Sequence, residues 1–192
     1  MGEETGGYMP RGSLLFAMPQ LMDPNFMHGI VLMIEHNESG AYGLLLNRPF
    51  GLDLDSLLPD AAGLTGKGFP VHDGGPVNED QLQFVHRIPE VIPGGVQLAD
   101  DLYFGGEATA MIEAVGQGRA TTDDLRLFVG NSGWSGGQLD EELKESTWMP
   151  SPPNTSVVFD PNLEEASWRR AFRSLGPDGE GLSRMPPDPS WN

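Results

Sequence analysis

Short apolar runs alternate with turn-forming residues along this chain, and the spacing within each run predicts its element. Residues 14–18 read as a buried strand. Asp23-Pro24-Asn25-Phe26 supplies an N-cap followed by proline at the first helical position and predicts a single helical turn. Residues 30–36 and 42–47 are two apolar runs joined by Asn37-Glu38-Ser39-Gly40, the pattern of a β-hairpin. Residues 54–58 predict a short helix stopped by Pro59. Residues 69–72 and 81–86 predict strands separated by the turn Asp73-Gly74-Gly75-Pro76-Val77, and 96–98 a short edge strand. Residues 107–115 carry Ala108, Met111, Ile112 and Val115 at helical spacing, closed by Gly116. A strand over 125–129, a last strand over 155–159 and a last helix over 163–175, with Trp168 and Phe172 facing inward, complete the pattern. Hairpins mixed with isolated helices predict an α+β domain with a mixed sheet.

Gly130-Asn131-Ser132-Gly133-Trp134-Ser135-Gly136-Gly137-Gln138-Leu139 links the strand at 125–129 to a helix. Ser135 is placed as its N-cap, with Gln138 three residues on completing a capping box and Asp140, Glu141 and Glu142 in the early turns favoured by the helix dipole. Gly133-Trp134-Ser135-Gly136-Gly137 also matches the G-x-S-x-G nucleophile elbow. That fold needs a histidine after the serine, whereas His28, His36, His72 and His86 all precede Ser135, so the serine reads as structural.

At 192 residues the chain fits one domain with a sizeable core. Residues 1–11 read as a mobile segment, 12–176 as the domain, and 177–192 as a Pro/Gly-rich tail in which Pro186, Pro187 and Pro189 rule out a continuous helix. The net charge of −17 opposes approach to phosphate backbones and anionic membranes. Arg169, Arg170 and Arg173 cluster near the end of a predicted helix, where the dipole favours cations. Without cysteine there is no disulfide, thiolate nucleophile or zinc-thiolate site. The acidic amino terminus is unlike a secretory signal and no apolar run approaches the ~20 residues of a membrane span, so a cytoplasmic location is expected.

Histidines are where acid–base chemistry is sought first. His28 and His36 flank one predicted strand on the same face but, at ~3.3 Å per residue, are too far apart to share a metal ion. No metal or cofactor site is assigned. Gly66-Lys67-Gly68 lacks the outer residues of a P-loop. Glu35 with His36, and Asn47 with Arg48, are polar pairs at the two ends of the hairpin. We expect them to converge with Gly74, Gly75 and Pro76, with His86, and with Gly133, Trp134 and Gln138 in one polar rim, because a buried arginine needs partners to offset its desolvation.

Taken in order, Gly12-Ser13-Leu14-Leu15-Phe16-Ala17-Met18-Pro19, Asp23-Pro24-Asn25-Phe26, Glu35-His36-Asn37, Gly43-Leu44-Leu45-Leu46-Asn47-Arg48-Pro49, Gly74-Gly75-Pro76-Val77, Val85-His86, Gly133-Trp134-Ser135, Gly137-Gln138-Leu139, Glu142, Trp148 and Trp168 resemble the YqgE/AlgH family. The resemblance covers residues 12–176. It implies a single domain with a branched mixed sheet, part of it curled into a small barrel, surrounded by helices. Members are labelled transcriptional regulators, yet the resemblance carries over no catalytic residue, cofactor or ligand. Where some relatives have cysteine just before Glu-His, this chain has Ile34, so no thiol mechanism is essential here. The expected function is a regulatory or protein-binding module acting through a protein partner without direct contact to nucleic acid or membrane. The alternative is a small-molecule-binding protein or cryptic enzyme with its polar site around His36, Arg48 and His86.

Overall fold

The computed structural model describes residues 7–163, 165–174 and 176–184. Strands β1 (Leu14–Ala17), β2 (Ile30–Asn37), β3 (Gly40–Leu45) and β4 (Pro49–Asp53) precede the short helix α1 (Leu54–Leu57). Next come β5 (Pro70–Asp73), β6 (Val77–His86), β7 (Val96–Ala99), β8 (Leu102–Phe104) and α2 (Ala108–Gly116). The last third holds β9 (Leu125–Ser135), α3 (Gln138–Lys144), β10 (Trp148–Ser151), α4 (Thr155–Val158), α5 (Glu165–Arg173) and α6 (Pro177–Ser183).

All ten strands join one mixed, branched sheet in the order β10-β1-β2-β3-β9-β6-β8-β7, with β5 branching from β9 and β4 attached to β5. The implied small barrel is absent: this sheet is open, with β10 and β7 at the two ends of its path. Branching occurs because β9 is long enough for three neighbours. Its residues 125–131 pair with β6 on one edge, while the other edge pairs with β5 at Leu127–Val129 and with β3 at Ser132–Ser135.

The link from β5 to β6 must therefore step across β9, and glycines make that crossing possible. Gly74 N–H donates to Val129 O at 2.8 Å. A Cβ on Gly74 would meet Gly130 O at 2.3 Å, and one on Gly130, which sits at φ +75°, would meet Gly75 O at 2.3 Å. Any side chain at either place would push two backbones apart. What reads in sequence as a turn between two strands is thus a backbone crossing, and the glycine-rich run after Val129 is a continuing strand.

Packing divides the core by face. Leu14, Phe16, Leu32, Leu44, Val85 and Phe128 meet Val158, Trp168 and Phe172 of α4 and α5, and the two last rings are fully buried 4.5 Å apart. On the far half of the sheet, Val71, Leu125, Leu127 and Val129 pack beneath Met111, Ala114 and Val115 of α2. Leu15, Val31, Met33, Trp134 and Trp148 pack with Leu139 of α3.

Several local expectations change. Ala108 is exposed and Ala114 takes its inward place; Gly116 is the last residue of α2, and the positive-φ glycine beyond it is Gly118, at φ +70°. The expected single helical turn after Asp23 does form, with Phe26 and Met27 N–H donating to Asp23 O, and it is not continued into a helix. Residues 155–159, β-branched and read as a strand, form α4 and its cap, because Asn154 Oδ1 accepts the Ser156 N–H at 3.1 Å. The edge place is filled by β10, a strand the sequence pattern did not reveal. Met18 N–H donates to Thr147 O and Leu14 pairs with Ser151, so Trp148 and Pro150 turn their backbone outward, where Pro150 has no N–H to offer. Residues 177–183, inside the expected tail, form α6, whose Ser183 is buried and accepts Arg169 Nη1 through its carbonyl at 2.7 Å. Pro186, Pro187 and Pro189 lie outside the described residues, as do residues 1–6 of the amino-terminal segment.

Candidate functional site

The expected polar rim separates into three places. Hairpin geometry is the first cause. His36 pairs with Ala41 beside the turn, whereas Asn47 and Arg48 follow Leu45, which pairs with Val31 at the other end. Six residues of extended chain separate those ends by on the order of 20 Å.

At the turn end, Glu142 of α3 is the hub. Its Oε2 accepts from both indoles, Trp134 Nε1 at 2.9 Å and Trp148 Nε1 at 2.8 Å, and its Oε1 accepts from Gln138 Nε2 at 2.9 Å. Phe26 stacks on Trp134 and meets Trp148 edge-on, so the carboxylate caps a small aromatic cluster. Gln138 Oε1 in turn accepts from Ser135 N at 3.1 Å and Ser135 Oγ at 3.3 Å. The capping box is therefore half formed: the glutamine reaches back as expected, but Ser135 ends β9 and the N-cap is Gly137 at φ +79°. His36 sits on the same side of the molecule, buried. Its Nδ1 accepts the Met9 N–H at 3.0 Å, its Nε2 lies 3.5 Å from Asp140 Oδ1, and the Tyr8 ring meets it at 73°. Glu35 points to the opposite face of β2, 3.8 Å from Arg11 and 3.1 Å from Asn37 Nδ2.

At the hairpin's other end, Asn47 clamps an unusual backbone. Its Oδ1 accepts from Ile30 N and its Nδ2 donates to His28 O, both at 2.8 Å, across a His28 held at φ 54°. The His28 ring stacks on Trp168 with centroids 3.9 Å apart. Arg48 donates through Nη2 to Met27 O, and its own carbonyl accepts the Asp73 N–H, which places it near the Gly74 crossing as expected. Both polar side chains are employed in holding residues 27–30. Gly74 O accepts from Leu45 N and Ser132 Oγ, tying the crossing to β3 and β9. Pro76 is exposed beside it.

His86 belongs to neither place. It is buried with Nε2 3.0 Å from Gly105 O, Nδ1 accepting from Ile88 N, and Tyr103 stacked on its ring; burial lowers its pKa, and the Gly105 carbonyl opposes the shift.

A fourth polar group escaped the sequence reading. Arg126 is buried on β9, where its Nη2 donates to Asp160 O at 2.6 Å, and burial lowers its pKa against the opposing charges of Asp160 and Asp123. Its Nε and the Nδ2 of Asn131 are buried without an acceptor among the described residues. His72 shares that face of the sheet. Burial first and the Arg126 charge second lower its pKa to about 4, despite a Leu127 carbonyl 3.3 Å from Nδ1. Burial pushes Asp160 upward, but the Asn162 N–H and the Arg170 guanidinium, 2.5 Å away, outweigh it and hold the carboxyl below its ordinary value. Sequence could have flagged only part of this: an indole N–H near Glu142 signals an acceptor, while an isolated arginine in an apolar strand signals burial without naming its partner.

Among the described residues no group of three or more metal-binding side chains is assembled, and no helix is long and apolar enough to cross a membrane. One cavity of about 200 Å³ lies over Glu35, Tyr42 and Trp134, and burial pushes the Tyr42 phenol up to about 12. Another, of about 310 Å³, runs between β1, β10 and α5 over Leu14, Phe16 and Ala171.

Comparison with known proteins places this arrangement. Residues 14–180 match the family model described as AlgH-like. A UPF0301 protein of Cytophaga hutchinsonii is 35% identical over 185 residues, covering 96% of this chain and 100% of that protein. One from Bacteroides fragilis is 33% identical over 190 residues, covering 98% and 95%. Among solved structures, the AlgH protein of Pseudomonas aeruginosa superposes with a TM-score of 0.71 at 29% identity, covering 97% of this chain and 98% of that one. A protein of Corynebacterium diphtheriae gives the same TM-score at 22% identity, covering 92% and 93%, and so shares the fold. The chain belongs to the AlgH-like family.

Proposed function

We propose that this chain is a cytoplasmic, protein-binding regulatory module that acts through a partner and makes no direct contact with DNA. The observation that carries this reading is the dispersal of its polar chemistry. Acid–base catalysis needs groups within hydrogen-bond reach of one reacting atom. Here His36, Arg48 and His86 lie in three places, and each has a structural bond: to the Met9 N–H, to Met27 O and to Gly105 O. The alternative, a small-molecule site around these three residues, loses its geometric basis.

Charge indicates the partner's chemistry. At a net charge of −17 the surface field repels nucleic acid and draws in a protein with a basic face, which raises the association rate at low salt. Random duplex DNA at physiological salt is expected to give no electrophoretic shift. Immobilised protein should retain basic proteins from native lysate that elute as salt rises. A salt-sensitive, sub-micromolar shift with DNA, or co-purification of one metabolite at stoichiometric amount, would overturn the proposal.

A further inference from the structure

We propose that His36 is a proton-operated latch for the amino-terminal strap Gly7–Pro10. The strap lies along the end of β2, where Met9 packs against the cluster formed by Met33, Ala41, Trp134 and Leu139. Its Met9 N–H donates to His36 Nδ1 at 3.0 Å. A backbone N–H can be accepted there only if Nδ1 carries a lone pair, so the ring is neutral with its single proton on Nε2, facing Asp140 Oδ1 at 3.5 Å.

A second proton has one place to go. Bound at Nδ1, it sets two donors against each other across the 3.0 Å contact and abolishes the bond to Met9. The imidazolium is at the same time drawn toward the Asp140 carboxylate. One proton thus loosens the strap while tightening the tie between β2 and α3. The other groups around the ring do not compete for this role: Tyr8 contributes its ring edge-on, β3 presents Ala41, and Arg11 is turned to Glu35 on the other face of β2. Release stops at Pro10, because Pro10 O still accepts from Ser13 N and Gly12 N still donates to Met33 O. What it frees is the Met9 side chain and the wall of an approximately 370 Å³ cavity that the strap shares with Pro150, Pro152 and Pro153.

Amide-resolved NMR of the full chain from about pH 8 to about pH 5, the range in which histidine charges, tests this. The ring nitrogens at high pH should report Nδ1 unprotonated. The Met9 amide should titrate with the same midpoint as the His36 ring. Its exchange, corrected for intrinsic pH dependence, should accelerate about three- to tenfold, as befits one lost hydrogen bond, while the Gly12 amide stays protected. His36→Gln should remove the Met9 titration. Asp140→Asn, which leaves the Met9–His36 contact in place, should keep it, which guards against a His36 variant that fails to fold. A proton found on Nδ1 at high pH, a Met9 amide indifferent to His36 titration, or a response that survives His36→Gln in a folded protein would each overturn the latch.

Discussion

Two polar groups on β9 and its neighbours, one partly buried around Glu142 and one buried around Arg126, are built in opposite ways. Around Glu142, three side-chain donors converge on one carboxylate, and all come from a short stretch of chain between Trp134 and Trp148. Around Arg126, one guanidinium nitrogen finds Asp160 O, 34 residues away, while Nε finds no acceptor among the described residues, and His72 stands nearby with a lowered pKa. The Glu142 group closes a local excursion from β9 through α3 to β10 with every indole N–H satisfied. The Arg126 group joins distant segments and leaves desolvation only partly offset. A fully satisfied network stabilises, and a partly satisfied one is retained at a cost in stability.

The largest expected difference is in acid. His72 binds a proton near 6.5 when unfolded and at about 4 when folded, so the unfolded chain takes up more protons between those values. Its contribution is fully present above about pH 6.5, declines as pH falls toward about 4, and amounts to about 3 kcal/mol over that span. Urea titrations across the range should show the decline, and His72→Asn should flatten it. An unchanged slope in the variant would move the acid sensitivity elsewhere.

Next is Glu142→Ala, which leaves the indole N–H groups of the buried Trp134 and Trp148 without their acceptor and should cost about 2–3 kcal/mol in equilibrium unfolding. Glu142→Gln, which retains an acceptor oxygen, should recover part of it. Arg126→Met tests the other group. Because the cation is buried with one donor unmet, its replacement by an apolar chain should change stability by no more than about 1 kcal/mol in either direction. It should also raise the His72 pKa by removing a neighbouring charge, readable from the ring resonances. A loss as large as that of Glu142→Ala would erase the contrast between the groups. Ser135→Ala is expected to have the smallest effect, below about 0.5 kcal/mol, since its hydroxyl donates to an exposed Gln138 oxygen and caps no helix.

Ser135 also shows where sequence reasoning succeeds and where it stops. The β2–β3 hairpin, α2 and the Trp168–Phe172 face of α5 follow from periodicity, because those elements bury one face over several residues. The Gln138 reach-back was legible from a three-residue spacing. β10 was not: Trp148-Met149-Pro150-Ser151 has no alternation and exists because β1 offers an edge. Nor was the role of Gly74, Gly75 and Gly130, since glycines in a turn and glycines at a crossing look alike until the partner backbone is known. For the candidate site, the residue types signal polar groups that need partners, but sequence does not specify which hairpin end faces which loop. Asn47 and His36 therefore found partners in separate neighbourhoods.

The pairing of Leu14 with Ser151 has a consequence for biosynthesis. The apolar strand Leu14–Ala17 leaves the ribosome well before the strand that covers its outer edge, which emerges only after most of the domain has been made. At synthesis rates of about 5–20 residues per second, that edge waits on the order of ten seconds for its neighbour. During this interval the nascent chain offers a free template to any other extended peptide in reach. Arrival of β10 ends the exposure and puts Pro150 on the new rim, so the last strand added to the sheet also discourages the next.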